Sequence, residues 1–137
     1  TSEWGSYASA CSIGWMEGWP LCQGKLIPDF QINGTDIQMM HRIVASLVGI
    51  FLIYGVYQIS KICKEKAQIL SNLSITGLIL VFANGLIGGS FVVFAGSEGF
   101  PEYLSLLHLI CGSLALLCFI IVLLIVNISK QPPIENE

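Results

Sequence analysis

Ile37-Gln38-Met39-Met40-His41-Arg42-Ile43-Val44-Ala45 sets a histidine and an arginine at the mouth of a long apolar segment, Ile43 to Ser60, that carries no charge. An α-helix rises about 1.5 Å per residue and the hydrocarbon layer is about 30 Å thick, so an uncharged run of this length reads as a membrane-spanning helix. A titratable ring at such a border is costly unless it has a partner or a function. For His41 alone, a hydrogen bond to a neighbouring loop accounts for the residue as well as a functional site does.

The chain has one other histidine, His108, in Tyr103-Leu104-Ser105-Leu106-Leu107-His108-Leu109-Ile110-Cys111, near the start of an uncharged run that continues to Ser129. A third uncharged run, Ala67 to Ser97, lies between the two. The His-bearing helices therefore cross in the same direction and the middle one returns, which puts His41 and His108 at similar depth near one face. The expected fold is all-α: a membrane helical bundle with three transmembrane helices, at about 41–62, 68–96 and 102–129. An ordered extracellular loop is expected over 1–40 and a cytoplasmic tail over 131–137. Two neutral imidazoles facing each other across a bundle are the axial pair an iron porphyrin requires, so His41 and His108 are candidate metal ligands. The competing account is two unrelated polar histidines.

Composition agrees with the membrane class, at 54% hydrophobic and 11% charged residues with a mean hydropathy of +0.76. The net charge of −3 and the lack of a long basic cluster argue against a nucleic-acid partner and leave lipid as the expected surroundings. Residues 1–40 hold no apolar run of the length a cleavable signal needs. Lys61, Lys64 and Lys66 lie between the first two spans and Lys130 follows the third. On the other side Lys25 and Arg42 are outnumbered by Glu3, Glu17, Asp29, Asp36, Glu98 and Glu102. Lysine and arginine collect in cytoplasmic loops, so the expected topology is a multi-pass plasma-membrane protein with its N-terminal loop outside and its C-terminal tail inside.

Within the loop, Cys11 and Cys22 fall on the oxidising side with ten residues between them. A disulfide there, worth roughly 3 kcal/mol by loop closure, is expected over two free thiols. Trp4, Trp15 and Trp19 suit an interfacial aromatic belt, and equally a roof over a cofactor pocket. Asn33-Gly34-Thr35 is a glycosylation acceptor pattern, which makes Asn33 a candidate modification site. In the middle span, Asn84-Gly85-Leu86-Ile87-Gly88-Gly89 puts small residues where a helix or a flat ligand comes close to the backbone, and Gly85, Gly88 and Gly89 are candidate cofactor contacts. Helix packing alone would also explain them. Cys111 and Cys118, seven apart on one helix, read as small buried fillers.

These elements together resemble the haem A synthase family. The residues that carry the resemblance are Cys11, then Gly18-Trp19-Pro20-Leu21-Cys22-Gln23-Gly24, Ile27-Pro28, Gln38 to His41-Arg42 with Ala45, Leu86-Ile87-Gly88-Gly89 and His108-Leu109. Family members have two similar halves of four helices, each holding a porphyrin between histidines on its second and fourth helices, and single-half forms work as oligomers. The resemblance implies that His41 and His108 are the axial pair. Arg42, one residue beyond His41 on the polar border, offers a two-pronged guanidinium to a porphyrin propionate, or equally a charge that anchors the helix to the interface. The resemblance also implies oxidation of the haem O methyl group to the formyl group of haem A, the cofactor of terminal oxidases. The cofactor would be haem b, or haem O and haem A as substrate and product. The alternative is a non-catalytic bis-histidine haem b protein or electron-transfer subunit of a respiratory terminal oxidase.

Three departures from the family pattern shape the expectation. A helix that precedes the Gly-Ser-rich loop in the family would end at about residue 1, so it belongs to a longer sequence or is supplied by a partner chain or a second copy. Gln38 stands three residues before His41, where the catalytic half usually carries a glutamate, and an amide is no carboxylate base. The catalytic group is thus left open among Glu17, Asp36 and Gln38. The cysteine spacing is also longer than the family's.

Overall fold

The computed structural model describes residues 10–62, 68–95 and 101–129. Trp4, residues 63–67 with Cys63, Lys64 and Lys66, residues 96–100 with Glu98, and the tail expected over 131–137 lie outside the described residues. Three helices follow a loop: α1 (Thr35–Ile62), α2 (Gln68–Val93) and α3 (Glu102–Ile128). Their 28, 26 and 27 residues give lengths of about 40 Å each, more than the hydrocarbon layer requires. All three are long and apolar enough to cross a membrane, and the protein is an all-helical multi-pass membrane protein.

Helix α1 starts at Thr35 rather than near 41. The charge-free run marks where lipid begins, whereas the helix starts earlier, with Asp36 in its first turn complementing the positive end of the helix dipole. Pro101 precedes α3, Glu102 occupies its first turn, and the Pro101 carbonyl accepts the Leu104 amide; proline suits this position because it needs no amide partner there. At the end of α2 the last helical bond runs from the Phe94 amide to the Ser90 carbonyl.

Hydroxyls inside the spans are satisfied locally, as a lipid environment demands. Ser46 donates to the Arg42 carbonyl, Ser74 to Leu70 and Ser113 to Leu109, each one turn back along its own helix. Helices α2 and α3 pack closely along their length. Leu70, Ser74 and Gly77 face Cys111, Ala115 and Val122 across the seam, all buried, at the three- and four-residue spacing of an interhelical stripe. Gly77 permits this approach: a Cβ there would stand 3.0 Å from the Phe119 ring and 3.2 Å from the Cys118 Cβ. The contact of α1 with α2 is sparser. Only 6% of α1's most apolar window is buried, against 17% in α2 and in α3, so α1 presents most of its surface outward.

The described part of the loop folds over the end of the bundle where α1 and α3 begin. Cys11 and Cys22 form a disulfide. Cys22 and Lys25 exchange two backbone hydrogen bonds of 3.0 Å around Gln23 and Gly24, both with positive φ, the pattern of a tight two-residue hairpin turn. Gln23 is the loop's polar hub. Its side-chain amide donates to the Ala10 and Asp29 carbonyls and to the Thr35 hydroxyl, while its Oε1 accepts the Asp29 amide at 2.7 Å. Thr35 is fully buried and donates to the Ala10 carbonyl, which ties the start of the loop to the start of α1.

Candidate histidine site at the loop end of the bundle

His41 and His108 each lie six residues into their helix, about 9 Å of rise from a helix start at the loop end. This common register brings them together: the ring centres are 6.4 Å apart and the planes are crossed at 66°. An imidazole nitrogen sits about 2 Å from a first-row metal it binds and about 1 Å from its own ring centre, so two rings on opposite sides of one metal have centres about 6 Å apart. The observed spacing is that of such a pair. Among the described residues no cluster of three His, Cys, Asp or Glu is present that could hold a metal.

The His108 ring is held on its other side. Its Nδ1 is 3.0 Å from the Asn84 carbonyl of α2; donation to that oxygen leaves Nε2 bare and fixes the ring, the usual support for a metal-binding histidine. Gly88, one turn further along α2, makes the approach possible. A Cβ at Gly88 would lie 2.9 Å from His108 Cε1 and 3.1 Å from Nδ1. Its neighbour Gly89 does the same for Trp19, whose ring atoms would be 2.6 Å from a Cβ there. Two consecutive glycines thus seat one ligand-type ring and one loop ring side by side. Gly85 seats neither ring: it is exposed, with no atom within 4 Å of a Cβ built on it. Trp15 and Trp19 lie 5.5 Å apart and, with Leu86, Gly89 and Phe94, bound a cleft of about 250 Å³.

Arg42 faces the loop. Its terminal nitrogens donate to the carbonyls of Gly18 at 2.6 Å, Leu21 at 2.8 Å and Pro20 at 3.4 Å, and to Gln38 Oε1 at 3.2 Å. Four donors on fixed acceptors make Arg42 a clamp between α1 and the loop. Gln38, one turn before His41, is part of the same clamp. The side chain of Glu17 packs against Gly24, and Asp36 is exposed in the first turn of α1. Asn33 is exposed, whereas the Thr35 of its acceptor triplet is buried and hydrogen-bonded.

The two sequence elements behind the family resemblance, the Trp19-Pro20-Leu21-Cys22 turn and His41-Arg42, are therefore joined in space by the Arg42 clamp. Comparison with known proteins agrees with that resemblance. Over part of its length the chain is similar to haem A synthases. It is 38% identical over 84 residues to the haem A synthase of Alkalihalophilus pseudofirmus, covering 58% of this chain and 27% of that protein. With the haem A synthase of Halalkalibacterium halodurans the identity is 33% over 84 residues, 58% of this chain and 26% of the relative. That of Geobacillus kaustophilus is 31% identical over 87 residues, 63% and 27%. The matched stretch is about a quarter of each haem A synthase's own length. No family model matches the chain, and no solved structure matches it.

Two supports of the site had no signature in the sequence. Asn84 acts through its backbone carbonyl, which no side-chain pattern reveals, while its side-chain Oδ1 is buried without a hydrogen-bond partner in the described structure. The Gln23–Thr35 hub joins a turn residue to a helix start twelve positions away. The only sequence cue was a polar residue between a cysteine and a glycine.

Proposed function

We propose that the chain is a haem-binding unit of the haem A synthase type, with His41 and His108 as the two axial ligands of one iron porphyrin. The observation that carries the reading is the imidazole pair, 6.4 Å between centres, with His108 Nδ1 tied to the Asn84 carbonyl. An iron porphyrin supplies its own ring nitrogens and would ask this chain for His41 and His108. When bound, the haem supplies the redox centre. This chain's residues hold it: His41 and His108 fix its depth, Gly88 gives His108 the room to reach it, and the Arg42-clamped loop covers the end of the bundle.

The activity that fits the relatives is oxidation of the haem O methyl group to the formyl group of haem A, in support of terminal oxidases. Gln38, engaged with Arg42, offers no carboxylate one turn before His41, and the catalytic group stays open among Glu17, Asp36 and Gln38. The exposed faces of α1 leave room for a further helix, whether from a longer sequence, a second copy or a partner chain. The loop faces the outside of the plasma membrane, in keeping with the lysine distribution and the disulfide. Co-expression with a haem O source tests the reading. Haem A in the extracted pigment supports it; a purified protein without any haem absorption refutes it, and bound haem b without haem A leaves the site but removes the oxidation.

A further inference from the structure

Another feature lies on the side of α1 turned away from His41. Arg42, Ile43, Ser46 and Leu47 recur at three- and four-residue spacing and share one arc of the helix. At about 100° per residue His41 stands nearly opposite that arc. The hairpin turn ending at Lys25, with Leu26, lies over the arc and leaves a cleft of about 290 Å³. Its level in the membrane follows from the sequence: Arg42 is the last charge before the uncharged run Ile43–Ser60, so the cleft straddles the plane where headgroups meet hydrocarbon. The floor is apolar. The rim carries Lys25, held in place by the two Cys22–Lys25 backbone bonds and the disulfide. Arg42 has its terminal donors committed to loop carbonyls and Gln38, so Lys25 is the cation left to meet an anion. Beside it Leu26 and Ile27 are 81% and 78% exposed, side chains that suit the interfacial layer and not water.

We propose that this cleft binds one anionic phospholipid, its phosphate paired with the Lys25 ammonium and one acyl chain lying along Ile43 and Leu47. An exposed lysine on a backbone-anchored turn beside a mostly apolar cleft at this depth matches an amphiphile with one anionic head and a hydrocarbon tail. A zwitterionic lipid brings its own ammonium to the same rim and gains less. The proposal is independent of the haem reading, since the cleft and the histidine pair occupy opposite sides of α1.

The test uses the full chain in phosphatidylcholine nanodiscs doped with phosphatidylglycerol that carries a diazirine near the top of one acyl chain, with adducts mapped by peptide mass spectrometry. Adducts should concentrate on Leu26, Ile43 and Leu47. Lys25→Gln should lower them about fivefold, the loss expected for one basic side chain at an anionic surface, and Lys25→Arg should retain them. Equal labelling by diazirine phosphatidylcholine overturns the proposal. So does labelling unchanged in Lys25→Gln, or adducts spread evenly to exposed positions such as Phe51 and Leu116. Cross-links from Leu26 to a second copy of the chain would put protein in the cleft and equally overturn it.

Discussion

Replacing Gly88 by alanine adds one methyl group at the point where α2 supports His108. That Cβ would stand 2.9 Å from His108 Cε1 and 3.1 Å from Nδ1, whereas non-bonded carbon atoms rest at about 3.5–4.0 Å. Helix α2 is packed against α3 and cannot retreat, so the ring moves by about half an ångström or more. Its Nδ1 then leaves the 3.0 Å contact with the Asn84 carbonyl, and Nε2 moves with it. Metal–ligand distances tolerate about 0.2 Å, so the displacement exceeds what an axial bond absorbs. Gly88→Ala should therefore convert six-coordinate low-spin haem to a high-spin or haem-depleted form in the absorption and EPR spectra. Folding should not suffer from the backbone, because alanine is favoured over glycine inside a helix by about 0.5–1 kcal/mol. Gly85→Ala is the matched control, since its Cβ would meet nothing within 4 Å, and its spectrum should equal the wild type. A wild-type low-spin spectrum in Gly88→Ala would refute the idea that Gly88 seats a ligand ring.

Arg42→Gln removes the donors to the Gly18 and Leu21 carbonyls; at roughly 1.5–3 kcal/mol for a hydrogen bond to a charged group, reduced by its partial exposure, the loop should open to limited proteolysis while membrane insertion is unchanged. An equally resistant loop would show that the clamp contributes nothing. Cys11→Ser should free Cys22 as a reactive thiol and lower the melting temperature, the lost cross-link being worth roughly 3 kcal/mol. If Cys22 is equally reactive in the unreduced wild type, the bridge is absent. Membrane-impermeant thiol reagents applied to intact cells should reach Cys11 and Cys22 only after reduction and Cys63 not at all, and labelling of Cys63 from outside would reverse the orientation.

Much of this architecture was legible in the sequence because lipid imposes a simple rule: charge-free runs long enough to cross became α1, α2 and α3, in the expected order. Their alternation of direction also placed His41 and His108 at one end, where the structure brings them together. Helix α1 begins at Thr35, six residues before the expected 41, since hydropathy reports the lipid boundary and not the helical hydrogen-bonding pattern. The glycines were harder. Gly85 and Gly89 lie one turn apart, yet Gly89 is covered by Trp19 and Gly85 is bare, because the loop reaches only the last turns of α2. Arg42 could be placed at the interface from its position, but its partners are backbone carbonyls of a loop without periodicity. The shape of such a loop is set by a disulfide, a tight turn and the Gln23 hub, and those partners cannot be read from residue types alone.

The central claim is that His41 and His108 share one iron, and spectra of the purified His41→Ala, His108→Ala and doubly substituted proteins test it most directly. Ligands of one metal are inseparable, so each single change should abolish the six-coordinate low-spin haem signal, and the double change should add little, which is the non-additivity of residues in one constellation. A normal low-spin spectrum in either single variant would show that this histidine is not a ligand and would contradict the account.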